Sequence, residues 1–216
     1  MITSSRPQLT PLALFGGTFD PVHKAHLQVA LTVADTLHCP VTLLPNAAPP
    51  HKDSPNTSAA HRLAMLELAC APFPQLNVSD WELQQPGPSW TLNTLRHWRE
   101  KHPQAALIWV IGGDSFAQLH RWHEWEQYAS LCHLAILPRP QGATAHPNVL
   151  AAFPSATADV VMREQSGRRI HLAMPSMDIS STRIREELAT QQYSELLPNS
   201  VMAYITSHGL YGVAKQ

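Results

Sequence analysis

The sequence predicts a doubly wound α/β fold: a Rossmann-like parallel sheet with helices on both faces and a small helical segment near the C-terminal end. Three observations carry that expectation. Short, continuous apolar runs recur along the chain, as strands covered on both faces require. Helical repeats with one apolar stripe separate them. The first elements read strand, helix, strand, which is a βαβ unit and implies a parallel sheet. No internal repeat or linker breaks the pattern. The 216 residues are therefore read as one domain, 1–216, with residues 1–11 as a polar lead-in.

"LALF" (Leu12–Phe15) is the first strand and ends on Gly16 and Gly17. From His23 onward, Leu27, Ala30, Leu31, Ala34 and Leu37 recur at helical spacing, and "VTLLP" (Val41–Pro45) follows as the second strand. The proline-rich stretch Asn46–Ser58 reads as a loop, "AAHRLAMLELAC" as a helix, and "LNVSDWEL" as a short strand or two. A helix over Thr91–Lys101 leads into "AALIWVIGGD", a strand that also stops on two glycines, and "CHLAILPRP" is a further strand. Gln141–Arg169 carries the weakest pattern and reads as loops around a short helix. "IHLAMPSMDISSTRIREEL" gives a late strand and a helix opened by Ser and Thr. The tail "LPNSVMAYITSHGLY" is a short amphipathic helix stopped near Gly209.

Composition narrows the function. Hydrophobic residues are 44% and charged residues 14%, as in a globular chain with a real core. Fifteen Lys and Arg against sixteen Asp and Glu leave no basic excess, which argues against a nucleic-acid partner. An anionic ligand must then be held by a few placed cations and backbone N–H groups. The three cysteines form no CxxC pair, fitting buried thiols in a reducing compartment. The N-terminal apolar run is too short for a signal peptide and no later segment could span a bilayer, so a cytoplasmic protein without a membrane partner is expected.

Two motifs carry chemistry. In "LFGGTFDPVHKAH", Gly16 and Gly17 fall at a strand's carboxyl end, where glycine allows close approach and positive φ, and a helix N-terminus follows. His23 and His26 share one face of that helix's first turn and can donate to phosphate oxygens. A bare turn, or a zinc half-site, remains an alternative for this spacing; zinc needs a third convergent ligand, which no diagnostic spacing supplies. In "ISSTRIRE", Ser180, Ser181 and Thr182 are cap candidates, followed by Arg183 and Arg185. Together the two helix starts suggest a triphosphate gripped from both sides.

These motifs resemble the GGTFDPxHxGH and ISSTxIR signatures of the nucleotidylyltransferase superfamily. Further segments, "PNAAPPHK", "PSWTLNTL", "VIGGDS" with "LHRWHEW", "HLAILPRP" and "LPNSVMAYITSHGLY", resemble its bacterial nicotinate mononucleotide adenylyltransferases. The likeness runs from about Leu12 to Tyr211. It implies transfer of the adenylyl group of ATP to nicotinate mononucleotide in NAD biosynthesis, with Mg²⁺ brought by ATP and no resident metal. Nicotinamide mononucleotide and phosphopantetheine are the alternative acceptors, and a non-catalytic nucleotide sensor is the alternative class. The resemblance implies that His23, His26, Lys52 and Arg185 are catalytic. It gives ATP contacts to Gly16, Gly17, Thr18, His26, Gly112, Asp114, Ser181, Thr182 and Arg185. It gives the pyridine nucleotide Asn46, His51, Lys52, Trp90, Thr91, Trp122, His123 and Arg139, with Trp122 stacked on the ring. Trp122 and Trp125 could instead be core, and Asp114 a helix cap. Asp20 is read as structural, tying down the turn. One departure stands out: Ala25 replaces the usual glycine of HxGH, a better helix former by about 1 kcal/mol. The oligomeric state, monomer or homodimer, is left open.

Overall fold

The structure, a computed structural model, describes residues 9–47, 57–138, 144–174 and 179–215. Along them run β1 (Pro11–Gly17), α1 (Lys24–Leu37), β2 (Val41–Pro45), α2 (Ala59–Cys70), β3 (Leu76–Val78) and α3 (Thr91–Lys101). Then come β4 (Ala106–Ile111), α4 (Gly113–Ala117), α5 (Tyr128–Leu131), β5 (His133–Ile136), α6 (Pro147–Ala152) and α7 (Ala158–Val161). β6 (Arg169–His171), α8 (Ser181–Gln191) and α9 (Asn199–His208) complete the series.

The sheet has six strands in the order β3-β2-β1-β4-β5-β6, and the β1–β4, β2–β3, β4–β5 and β5–β6 pairs are all parallel. Alternating strands and helices produce this Rossmann-like arrangement, since parallel strands need a crossover between them. Every residue of β2, β4 and β5 is buried, which is why those strands read as unbroken apolar runs. The helices over Ala59–Cys70 and Thr91–Lys101 appear as the sequence predicts. "LNVSDWEL" yields one strand and then a 3₁₀ turn at Trp81–Gln84. α9 stops where Gly209 takes φ 66°, the left-handed conformation a glycine permits.

The chain falls into two compact units, one drawn from Met1–Leu14, Val33–Pro40 and Thr91–Pro175, the other from Phe15–Thr32, Val41–Trp90 and Ser176–Gln216. In the first, Arg99 of α3 donates to the carbonyls of Leu131, His102, Ala105 and Gln165, tying loops that would otherwise leave those groups unpaired. His133 is fully buried there, accepting from the Arg168 N–H and meeting the Glu164 carbonyl. In the second, α2 packs on α9, where Ser200 donates to the Leu68 carbonyl and His61 Nδ1 meets the Tyr204 hydroxyl at 2.9 Å.

Cys39, Cys70 and Cys132 are free, buried thiols, and burial pushes Cys39 up to about 11 and Cys70 up to about 12. Among the described residues, no helix is long and apolar enough to cross a membrane.

Candidate active site

The second unit contains both motifs. β1 ends on Gly16 and Gly17, yet neither has positive φ; the left-handed residue is Phe19, at φ 49°. A Cβ on Gly17 would stand 2.9 Å from Phe19 Cζ. The absent side chain therefore seats the buried Phe19 ring, itself 5.7 Å edge-on to Phe15. This corrects the expectation of positive φ at the glycines. Gly17 also accepts the Asn46 N–H at 3.0 Å, joining the residue after β2 to the end of β1.

Past the Phe19 turn, α1 begins. The His23 carbonyl accepts the His26 N–H at 2.9 Å, while the His23 N–H donates to His26 Nδ1 at 3.3 Å. The second contact is one half of a capping box, with a histidine reaching back in place of the usual Glu or Gln; His23 itself accepts through its carbonyl, not its side chain. With Nδ1 accepting, the neutral His26 ring carries its proton on Nε2. The two imidazoles stack at 3.6 Å with planes 23° apart, and His26 stands edge-on to Phe19 at 4.9 Å. Nitrogen lone pairs lie in the ring planes, so stacked rings do not aim at a common metal position. Among the described residues no group of three His, Cys, Asp or Glu side chains is arranged to hold a metal. His23 is only 3% exposed, and burial holds its pKa down at about 4. It is a neutral imidazole at neutral pH. Ala25 is buried within this first turn.

α8 starts against the same turn. Ser180 caps it, its hydroxyl accepting the Arg183 N–H at 3.2 Å. Ser181 donates to the Pro21 carbonyl at 3.1 Å, and Arg185 donates to the Asp20 carbonyl at 2.8 Å and to Thr182 Oγ1 at 3.2 Å. Arg183 instead pairs with Glu187 on the exposed side of the helix. The Ser181 hydroxyl proton is thus committed to the protein. What α8 turns toward an anion is its backbone N–H groups, the Thr182 hydroxyl and the remaining N–H groups of Arg185.

Three buried polar atoms in this unit, Thr18 Oγ1, His23 Nδ1 and Asn46 Oδ1, have no hydrogen-bond partner among the described residues. They sit just past β1, at the start of α1 and just past β2. A buried, unpaired polar atom costs about 1–3 kcal/mol. All three lie on the segments that leave β1 and β2, the carboxyl ends of strands where a parallel sheet receives its ligands.

In the first unit, Gly112 caps α4, and Asp114 is an exposed residue of its first turn rather than the cap itself. "LHRWHEW" forms two 3₁₀ turns, Leu119–Arg121 and Trp125–Gln127, instead of a helix. Trp122 and Trp125 are part-exposed, so neither is core. Trp122 leans edge-on to Tyr128 at 6.3 Å. His123 pairs with Glu124 at 3.0 Å. The Trp90 N–H donates to the Pro88 carbonyl at 2.9 Å. His51, Lys52 and Arg139 lie outside the described residues.

Sequence reasoning missed Arg62 and Tyr211. Arg62 is 1% exposed and donates to the carbonyls of Thr18 at 2.7 Å and Thr57 at 3.3 Å. Its signal was an arginine sharing a helical face with Met65, Leu66 and Ala69. Tyr211, at φ 56°, donates to Asp20 Oδ1 at 2.6 Å. The structural reading of Asp20 agrees with this contact.

Residues 14–187 match the cytidylyltransferase-like family. A protein of Idiomarina loihiensis named "Probable nicotinate-nucleotide adenylyltransferase" is 39% identical over 92% of this chain and 98% of its own length. A Pseudomonas fluorescens protein of the same name is 39% identical over 93% of this chain and 96% of its own. Among solved structures, the Plasmodium falciparum nicotinic acid mononucleotide adenylyltransferase complexed with NaAD superposes with a TM-score of 0.74 at 18% identity. It covers 95% of this chain and 98% of that one. At that identity the likeness speaks for the fold.

Proposed function

The chain belongs to the nicotinate-nucleotide adenylyltransferases of the cytidylyltransferase-like family, and on that premise we propose that it transfers the adenylyl group of ATP to nicotinate mononucleotide. The products are nicotinate adenine dinucleotide and pyrophosphate, a step of NAD biosynthesis. The observation that carries this reading is the trio of unpartnered buried atoms, Thr18 Oγ1, His23 Nδ1 and Asn46 Oδ1, beside two helix starts.

An oxygen of the nicotinate mononucleotide phosphate attacks the α-phosphorus of ATP. The new P–O bond forms as the bond to the β-phosphate bridging oxygen breaks, and pyrophosphate leaves with Mg²⁺, which enters as MgATP. A phosphate monoester is largely dianionic at neutral pH, so the nucleophile needs no general base. The protein's work is alignment and charge neutralisation. His26 Nε2–H donates to the phosphoryl oxygens where charge builds, the neutral His23 ring backs it, and Thr18 orients the incoming phosphate. Arg185, Thr182 and the N–H groups of α8 take the β- and γ-phosphates from the other side. Lys52, with His51 and Asn46, completes the phosphate contacts, and Gly112 and Asp114 serve the ATP nucleoside. Trp122 stacks on the pyridine ring, N–H groups near Thr91 and His123 take its carboxylate, and Arg139 assists. The three free thiols suit a cytoplasmic setting.

Pyrophosphate release from purified full-length protein with MgATP tests this, each acceptor being supplied separately. Nicotinate mononucleotide is expected to be the best substrate. Preferred turnover of nicotinamide mononucleotide or phosphopantetheine would change the acceptor, and no release with any of them would favour the nucleotide sensor.

A further inference from the structure

Arg62, Asp20 and Tyr211 come from α2, the turn after β1 and the stretch after α9, and they meet beneath Thr18–Pro21. Arg62 and Asp20 are 1% and 3% exposed. The Asp20 charge offsets the buried Arg62 guanidinium, whose donors close on the Thr18 and Thr57 carbonyls. Tyr211 joins them, its hydroxyl 2.6 Å from Asp20 Oδ1 and also hydrogen-bonded to the Thr57 side chain.

Two features say that this contact is more than filler. Tyr211 is held in the left-handed region at φ 56°, which costs a non-glycine residue about 1–3 kcal/mol and persists only where surrounding contacts fix it. Gly212, next along the chain, has φ 80°, so the backbone is bent at two consecutive residues where the ring turns inward. The carboxylate so held belongs to the residue whose carbonyl accepts from Arg185. The same turn carries Thr18 on one side and His23 on the other.

We propose that Tyr211 is a positioning residue for the adenylyl transfer: through the Asp20 carboxylate it fixes the turn that sets Thr18 and His23 against the start of α8. The proposal rests on the transferase reading above. Tyr211 touches no reacting atom. Its hydroxyl pins a carboxylate, the carboxylate pins a turn, and the turn sets the spacing between the two phosphate-gripping helix starts. A displacement of about 1 Å at such a site can cost a hundredfold in rate.

The experiment compares Tyr211→Phe, Asp20→Asn and the double variant with wild type, by steady-state pyrophosphate release with MgATP and nicotinate mononucleotide and by thermal unfolding. Tyr211→Phe keeps the ring and deletes only the hydroxyl. Its kcat is expected to fall about ten- to a hundredfold, with both KM values nearly unchanged and the protein still folded at the assay temperature. Asp20→Asn is expected to lower kcat similarly, and the double variant no further than the worse single one, because the pair acts as one unit. A Tyr211→Phe kcat within twofold of wild type would overturn the proposal. So would strictly multiplicative losses in the double variant, or a loss explained by unfolding. Wild-type protein inactive with every acceptor would instead sink the transferase reading itself.

Discussion

Arg185 Nη1 stands 2.8 Å from the carbonyl oxygen of Asp20, so a residue one turn into α8 reads the backbone of the turn before α1. The second guanidinium nitrogen, Nη2, reaches Thr182 Oγ1 at 3.2 Å. A guanidinium can keep both contacts and still present N–H groups to an anion; an ammonium has a single nitrogen and cannot span them. Arg185→Lys is therefore expected to raise the KM for ATP and lower kcat, together costing about tenfold or more in kcat/KM. Unchanged kinetics in that variant would move the phosphate grip to the helix backbone alone.

His26 combines a structural and a chemical role on different ring nitrogens. Nδ1 accepts the His23 N–H, which leaves Nε2–H to donate. His26→Ala loses both, yet the cap is worth only about 1 kcal/mol. A folded protein with kcat reduced about a hundredfold is expected, checked by circular dichroism and pyrophosphate release. His26→Gln, able to restore the capping-box contact, is expected to regain stability without regaining the rate. Near-normal turnover in His26→Ala would remove His26 from the chemistry.

The motifs at Gly16–His26 and Ile179–Arg185 were legible because a few residue types at fixed spacing specify a strand end and two helix starts. The strand runs were legible for a related reason: total burial of β2, β4 and β5 leaves no polar face to blur them. What the sequence hid were contacts set by turn conformation or by residues far apart in the chain. Residue type alone does not say that Gly17 seats Phe19, that Pro88 takes the Trp90 N–H, or that Tyr211 reaches Asp20. The "LHRWHEW" segment left a core reading open beside the stacking one, because tryptophans three apart also fit a helical stripe. Two 3₁₀ turns carry it instead, with Glu124 between them at φ 47°.

Burial of His23 has a consequence for stability at low pH. Its pKa falls from 6.5 to about 4 on folding, so the unfolded chain binds the proton more readily than the native protein. Above the unfolded value both states are neutral and nothing is lost. As pH drops below it, stability drains away until the native pKa is reached. His133 and His171 are shifted in the same direction by burial and add to the trend. Between about pH 7.5 and about pH 5 the His23 share is roughly 2 kcal/mol. Urea unfolding at the two pH values is expected to show a smaller drop for His23→Asn than for wild type. Equal drops would mean that His23 is not held neutral.

Trp122 separates recognition of the pyridine ring from the phosphate chemistry. It follows a 3₁₀ turn, its N–H closed onto the Leu119 carbonyl and its ring part-exposed against the edge of Tyr128. A ring so held offers a flat apolar face at little further ordering cost, and stacking of an aromatic base on such a face is worth about 1–3 kcal/mol. Trp122→Ala is accordingly expected to raise the KM for nicotinate mononucleotide about tenfold or more, with the KM for ATP nearly unchanged. Trp122→Phe, keeping a smaller face, is expected to fall between the two. A selective rise in the ATP constant would instead put the adenine, not the pyridine, against this tryptophan.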